Sequence, residues 1–314
     1  MFDSIWGDVK KEFSYGNMIN RIIIVNVAVF VLVNLVRLVL YFAGSGTVPP
    51  FYSQFLYFFS VSSNWWHDLT HPWAVFTHMF LHEDLFHILF NMLFLYWFGK
   101  IVGDLIGDER VLPLYILGGL AGFVAYFVAA NIMPFGGSGN HYALGASAAV
   151  LAIVAASGML APDYIMHWLF IGAVKLKYVV AALIFLDIAL LGRDANTGGH
   201  FAHLGGAIFG LFFVLRLREG TDLSVPVNRA FDKIRGLFSP SKKAKSSTKK
   251  GPRMAYKNKS KTVNKRAKGS AASDSENLDH QEQVDAILEK IKRTGYESLS
   301  AEEKEYLFNA SKKK

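Results

Sequence analysis

Residues 199–216 read GHFAHLGGAIFGLFFVLR, an apolar run that contains His200 and His203 near its beginning. Its length approaches the roughly 20 apolar residues that an α-helix needs to cross the hydrocarbon core of a bilayer. Gly206 and Gly210 lie four residues apart, a spacing that lets a neighbouring helix approach closely inside a membrane. The stretch therefore predicts a transmembrane helix that packs tightly against others and carries two imidazoles.

The remainder of the chain has the composition of a membrane protein. Of its 314 residues, 52% are hydrophobic and 18% are charged, which is too apolar for a soluble globular protein. Five further segments resemble membrane spans, at approximately residues 22–43, 83–105, 111–131, 144–160 and 176–192. We predict an all-α, polytopic membrane protein with a bundle of six transmembrane helices.

The distribution of positive charge predicts the orientation of this bundle. Lys and Arg residues lie before the first segment, between the second and third, before the fifth and after the sixth. The loops 44–75 and 132–143 contain neither residue, so the positive-inside rule predicts that both termini are cytoplasmic. The aromatic loop 44–75 is expected to lie in or on the outer leaflet. No cleavable signal peptide is visible, so we expect the first helix to be retained.

The C-terminal part of the chain differs from the bundle in composition. Of the 33 Lys and Arg residues, 24 follow position 215, so the net charge of +8 belongs to a tail and does not indicate a nucleic-acid partner. We expect the Lys-rich stretch to be a solvated linker that anionic lipids of the inner leaflet attract. The capping-box spacing of Ser300 and Glu303 predicts a helix near the end. The predicted parts are a cytoplasmic segment (1–20), the six-helix domain (21–218), a basic flexible linker (219–279) and a small helical tail element (280–314).

Three of the predicted helices carry polar groups, although a charge at the membrane centre costs about 2.5–3.5 kcal/mol. The second, fourth and sixth helices all run from outside to inside, and the polar groups lie within their first two turns. Two of these residues, His87 and Asn91, are four apart and therefore share a helix face. The polar residues of these helices are His82, His87, Asn91, Ser147, His200 and His203. We predict that four of them, His87, Asn91, Ser147 and His203, lie at a similar depth near the outer surface.

This set of residues fits acyl transfer in a water-filled cavity. A serine hydroxyl is a poor nucleophile unless a base removes its proton, and His203 is the candidate base for Ser147. The negative charge of a tetrahedral intermediate needs hydrogen-bond donors, which the Asn91 amide, a His87 ring N–H and the Ser147 backbone N–H can supply. Gly145 permits a close approach of the backbone to a substrate.

These motifs resemble the rhomboid family of intramembrane serine proteases over about residues 20–218. The resemblance rests on His82-Glu-Asp-Leu-Phe-His87-Ile-Leu-Phe-Asn91, Gly145-Ala-Ser147 and Ala202-His203-Leu-Gly205-Gly206-x-x-x-Gly210. It implies a Ser147–His203 dyad without a required carboxylate, an oxyanion site formed by His87, Asn91 and the Ser147 amide, and a structural hydrogen-bonding role for His82. It also implies single-span membrane proteins as substrates and no metal or organic cofactor.

The tail from Asp285 onward is similar to tails of some rhomboid homologues from the Bacteroidetes group, so we expect a bacterial inner-membrane protein. Three positions depart from the family pattern. Ala148 replaces the glycine that usually follows the serine. Leu151 stands where an aromatic ring often stacks on the catalytic histidine, and Trp73-Ala74 stands where the family has Trp-Arg.

Several alternatives remain open at this point. An inactive relative would bind membrane-protein clients without cleaving them, and a small channel or transporter would use the histidines as proton relays. A metal site is disfavoured because the nearest carboxylates in sequence, Glu83 and Asp84, are expected at the surface. The absence of cysteine also excludes thiolate ligands. Asp187 is either a third group that orients a histidine or a hydrogen-bonded residue facing the bundle interior, and we favour the second.

Overall fold

A computed structural model describes residues 2–133, 140–168, 172–192, 196–238, 283–284, 286–291 and 298–312. The chain forms two units, Met1–Lys243 and Ala244–Lys314. In the first unit, longer helices pack around a short buried helix that begins at Ser147, and this packing positions the candidate site.

The elements of the first unit are mainly helices. In chain order they are α1 (Phe2–Tyr15), α2 (Met18–Ala43), α3 (Phe51–Phe59), α4 (Trp65–Thr70), α5 (Ala74–Thr77), α6 (Leu85–Ile106), α7 (Val111–Ile132), α8 (Ser147–Leu160), α9 (Leu176–Leu190), α10 (Thr197–Arg218) and α11 (Ser224–Phe238). Short 3-10 turns cover His78–Phe80 and Asp108–Arg110. Two antiparallel strand pairs join β1 (Val61–Ser62) to β2 (Tyr142–Ala143), and β3 (Ile165–Trp168) to β4 (Gly172–Lys175). The second unit contains α12 (Ala301–Lys312).

Each of the six segments predicted to cross the membrane contains a helix. Only some of these helices are long enough to cross a membrane. Among the described residues, α2, α6, α7 with its preceding turn, and α10 are long and apolar enough to cross a membrane. The helices α8 and α9 have 14 and 15 residues, which gives about 21–23 Å at 1.5 Å per residue. A short helix is tolerable at α8 because its middle, Ala148–Ser157, is entirely buried by neighbouring protein, where backbone that is not helical can find partners other than lipid.

Glycines set the distance between α8 and its neighbours. A Cβ atom added to Gly206 of α10 would overlap the carbonyl oxygen of Ala148, and one added to Gly210 would overlap that of Ala152. On α7, Gly122 leaves the space that the Ala148 methyl group occupies. Small residues allow helix backbones to approach closely and make many dispersion contacts. The alanine that departs from the family glycine is therefore accommodated by a glycine on a neighbouring helix.

Two side chains, one just before α5 and one at its end, cap the end of α3. Trp73 Nε1 donates a hydrogen bond to the Phe58 carbonyl at 2.8 Å, and Thr77 Oγ1 donates one to the Phe59 carbonyl at 2.8 Å. These two carbonyls lack partners within α3 because they lie in its last turn. The loop is thus fastened without an arginine at Ala74.

The β1–β2 pair connects this loop to the segment that leads into α8. Val61 pairs with Ala143, and the rings of Tyr57 and Tyr142 stack with their centroids 3.9 Å apart. Because Ala143 lies four residues before the first residue of α8, the loop helps to fix where that helix begins. Contact of the exposed loop aromatics with the outer leaflet stays a prediction.

The structure differs from the sequence prediction at the start of the basic linker. Residues 219–279 were expected to be flexible, yet α11 forms within them, and Asp222 caps its start by accepting from the Ser224 N–H at 2.9 Å. Asp222 also pairs with Arg110 at 2.8 Å, which attaches this segment to α7. Apolar residues recur at helical spacing here, at Val227, Phe231 and Ile234, and the surrounding basic composition concealed them. Residues 239–279 lie outside the described residues.

The predicted capping box at the end of the chain is present. The Ser300 N–H donates to Glu303 Oε2 at 2.8 Å, and the Glu303 N–H donates to Ser300 Oγ at 3.2 Å, immediately before α12. Reciprocal bonds of this kind satisfy two N–H groups that a helix start leaves without partners.

We predict that Gly210→Ala destabilises the protein by about 1–3 kcal/mol because the new methyl group forces α10 away from the Ala152 backbone. Thermal unfolding in detergent measures the effect as a lower Tm. The matched control is Gly236→Ala in α11, where an added Cβ has no neighbour within 4 Å. That substitution should leave Tm unchanged or slightly raised, since alanine is the better helix former. Equal Tm values for both variants would contradict the packing argument.

Candidate active site

Ser147 lies at the first position of α8, directly after a turn that requires glycine. Gly145 has φ of +124°, a conformation that L-residues rarely adopt. Its N–H donates to the His78 carbonyl at 2.8 Å, which anchors the turn to the 3-10 segment before α6. A Cβ atom on Gly145 would lie 2.7 Å from His87 Cε1. The glycine therefore provides both the turn and the space that the His87 ring occupies.

The structure brings Ser147 and His203 together from helices that are distant in sequence. Ser147 Oγ lies 2.7 Å from His203 Nε2, a normal distance for a hydrogen bond that a hydroxyl donates to an unprotonated ring nitrogen. Both residues keep partial exposure, and the His203 side chain is 17% accessible. The pair thus has hydrogen-bonding geometry and lies partly exposed at the protein surface.

Asp187 and His200 complete the surroundings of His203. Asp187 Oδ1 lies 2.8 Å from His203 Nδ1 and 2.7 Å from His200 Nδ1. The aspartate lies on α9 and is 9% exposed, so it faces the bundle interior as favoured in the sequence analysis. Its two hydrogen-bond partners among the described residues, however, are His200 and His203 of α10. The contact of Asp187 with His203, which the family resemblance did not require, is the alternative that the sequence analysis named and did not favour.

His82, His87 and Asn91, which we call the α6 polar cluster, lie beside the turn that precedes Ser147. His82 is fully buried, and burial lowers its pKa to about 4, so its ring is neutral near pH 7. His82 Nε2 lies 3.3 Å from Asn91 Nδ2 and 3.3 Å from the Ala146 backbone nitrogen. Because both neighbours are N–H donors, Nε2 is the acceptor and joins α6 to the turn.

The remaining member of the cluster, His87, lies between His82 and Gly145. The rings of His82 and His87 meet edge to face with centroids 5.0 Å apart. The N–H of His87 donates to Asp84, which is the N-cap of α6. The cluster is thus assembled from the first two turns of one helix and the segment just before it, as their spacing in sequence predicts.

The absence of an aromatic ring at position 151 changes what surrounds His203. Leu151 is 8% exposed and belongs to the main hydrophobic core. Within the described part of the chain, the ring of His200 packs edge-on to His203, with the two ring centroids 5.8 Å apart. His203 is therefore held by hydrogen bonds at both ring nitrogens and by an imidazole edge.

The same residues form the one group in the described segments with the spacing of a metal site. Donor atoms of Asp187, His200 and His203 all lie within 4.8 Å of one another. The prediction against a metal rested on Glu83 and Asp84, the carboxylates that are near the histidines in sequence. Asp187 is distant in sequence from these two and was not included. Two imidazoles and a carboxylate are a possible ligand set for a divalent metal ion, so an experiment on this site must include a metal control.

Two parts of the chain match known protein families. Residues 69–220 match the family model described as Rhomboid domain, and this range contains the α6 polar cluster, Ser147, Asp187 and both histidines of α10. Residues 274–313 match the model described as Family of unknown function (DUF6576). A search of curated proteins found no match. Four helices in the described part of the chain are long and apolar enough to cross a membrane, and together with the match over residues 69–220 they indicate an integral membrane protein. The matched family generally comprises intramembrane serine peptidases.

We predict that His82→Ala destabilises the protein by about 1–3 kcal/mol because it leaves the buried Ala146 N–H without an acceptor. Thermal unfolding in detergent provides the measurement. The matched control is His167→Ala, which removes an exposed imidazole from β3 and should change stability by less than about 0.5 kcal/mol. A Tm for His82→Ala that equals that of the control would show that the Nε2 bonds do not hold the turn.

Proposed function

We propose that the protein is an intramembrane serine endopeptidase that cleaves transmembrane segments of single-span membrane proteins. The observation that carries the proposal is the 2.7 Å contact between Ser147 Oγ and His203 Nε2, inside a region that matches the Rhomboid domain. A serine hydroxyl in contact with a neutral imidazole is the minimal combination of nucleophile and general base.

The reaction proceeds in two acyl-transfer steps. Ser147 Oγ attacks the carbonyl carbon of the scissile peptide while His203 Nε2 accepts the hydroxyl proton. The tetrahedral intermediate collapses, the C–N bond breaks, and His203 returns the proton to the leaving amine. A water molecule then attacks the ester on Ser147, again with His203 as base, and releases the carboxylic acid and the free serine.

The oxyanion of each intermediate needs donors that are already in place. We assign this role to the Ser147 backbone N–H, the Asn91 side-chain amide and a ring N–H of His87. One N–H of the Asn91 amide is engaged by His82 at 3.3 Å, which orients the amide and leaves its second N–H for the substrate. The position of the His87 ring against Gly145 supports its assignment to the same side of the serine.

The two rival functions are less well supported by the geometry. A protein that only binds clients has no need for a hydroxyl–imidazole contact, and the pair is complete here. A proton-relaying channel needs a polar path through the membrane, whereas α8 is apolar and buried from Ala148 to Ala156. We further propose that all six predicted helices cross a bacterial inner membrane with both termini cytoplasmic, as the charge distribution indicates.

We predict that Ser147→Ala and His203→Ala each lower peptide cleavage by about 10³-fold or more, because either change removes the nucleophile–base unit. The assay uses purified protein in detergent with a single-span model substrate and a fluorophosphonate probe that labels activated serines. The matched controls are Ser157→Ala, a serine on α8 whose hydroxyl donates to the Val154 carbonyl, and His167→Ala, a histidine on β3.

Both controls should cleave and label like the wild-type protein. Cleavage that persists in Ser147→Ala would exclude this mechanism. A wild-type protein that binds the substrate but neither labels nor cleaves would instead support the client-binding function.

We predict that Gly145→Ala lowers cleavage by more than tenfold, because its Cβ would lie 2.7 Å from His87 Cε1 and push that ring out of place. The matched control is Gly220→Ala, which has a similar positive φ of +85° but no neighbour within 4 Å of the added Cβ. The comparison separates backbone strain from displacement of His87. Equal activity in the two variants would remove His87 from the proposed oxyanion site.

A further inference from the structure

The Ser147–His203 reaction leaves Asp187 without a role, although it accepts hydrogen bonds from two histidines. We propose that Asp187 is a positioning residue that fixes the tautomer and ring orientation of His203, and that His200 holds the Asp187 carboxylate in place. This inference rests on the proposed function, because it concerns the base of that reaction.

The contacts determine where the protons of His203 lie. A carboxylate is an acceptor only, so the 2.8 Å contact with Asp187 Oδ1 requires the proton on His203 Nδ1. In a neutral ring Nε2 then carries no proton and accepts from Ser147 Oγ at 2.7 Å. The opposite tautomer would place the Nδ1 lone pair against the carboxylate and an N–H against the serine. Asp187 therefore selects the tautomer that can act as base.

The burial of Asp187 strengthens this effect. The side chains of Asp187 and His200 are 12% and 8% accessible, while that of His203 is 17% accessible and faces the serine. When His203 takes the serine proton, its positive charge forms beside a carboxylate that is shielded from water. An opposite charge at this distance stabilises the imidazolium far more than it would in bulk solvent.

His200 supplies the second hydrogen bond that fixes the carboxylate. It lies three residues before His203 on α10, so both rings project towards the same side of the helix. Their planes are 89° apart, and their Nδ1 atoms approach the same oxygen of Asp187 at 2.7 and 2.8 Å. A carboxylate held by two such donors cannot rotate without breaking one of them.

The distances of Asp187 from the two histidines are those of shared protons. Two ligand atoms bound to one tetrahedral zinc ion, each about 2.0–2.1 Å from it, lie roughly 3.3 Å apart, so these side chains would have to separate to hold one. The observed separations of 2.7 and 2.8 Å between nitrogen and oxygen are those of charge-assisted hydrogen bonds.

The test compares Asp187→Asn with Asp163→Asn in the purified full-length protein. Asp163 is an exposed aspartate between α8 and β3 that pairs with Lys175 and Lys177, so the control makes the same chemical change far from His203. We expect Asp187→Asn to lower both kcat and the rate of fluorophosphonate labelling by about 10²–10⁴-fold, as loss of the correct tautomer does. KM and Tm should stay near the wild-type values, and Asp163→Asn should behave like the wild type.

Two further measurements complete the experiment. Substituting His200→Asn should lower kcat by about tenfold, less than Asp187→Asn, because it loosens the carboxylate without removing it. The ¹⁵N resonances of His203 in the wild-type protein should report the Nδ1–H tautomer, a result that does not depend on any variant folding.

The outcomes separate the inference from the function on which it rests. Wild-type kcat in Asp187→Asn, or an Nε2–H tautomer of His203 in the wild type, would overturn the positioning role while Ser147-dependent cleavage stands. Activity that chelation abolishes and zinc restores would assign the three residues to a metal and also overturn it. A wild-type protein without labelling or cleavage would remove the proposed function and this role together.

Discussion

The close approach of α8 to α10 is the constraint on which the rest of the site depends. Gly206 and Gly210 bring the α10 backbone against the carbonyl oxygens of Ala148 and Ala152, where no side chain would fit. The serine precedes the first of these contacts on α8 by one residue. Because that contact sets the separation of the two helices, it also sets the 2.7 Å distance between Ser147 and the α10 imidazole. The geometry of the proposed catalytic pair is thus a consequence of small-residue packing, which supplies much of helix association in membranes.

Much of the fold was predictable because its determinants are local. Long apolar runs identify the helices, and the capping box before α12 follows from the spacing of two residues. The predictions were weaker where tertiary surroundings decide the outcome. The helix α8 is too short to cross a bilayer by length alone and is stable because its neighbours bury it. The helix α11 was missed because its basic composition, typical of a linker, concealed an apolar face with helical spacing.

In the candidate site, too, contacts within one helix were predictable from the sequence, whereas contacts between helices were not. His87 and Asn91 were placed on one helix face because their spacing determines it, and the structure agrees. Spacing along the chain does not determine which helices are neighbours, so the contact of Asp187 with His200 and His203 was only one of two alternatives and was not favoured. The available signal was an acidic residue inside an apolar helix, since a buried carboxylate needs N–H partners to offset its loss of water. The histidines of α10 were among the few donors expected at that depth.

The central claim is that Ser147 is a nucleophile activated by His203, and it is tested most directly by locating a covalent adduct. Purified wild-type protein is treated with a fluorophosphonate, its intact mass is measured, and the modified peptide is sequenced by mass spectrometry. We expect one adduct per chain, attached to the Ser147 hydroxyl and missing from His203→Ala. An adduct on any other residue, or an unmodified chain under conditions in which the protein cleaves a membrane substrate, would contradict it.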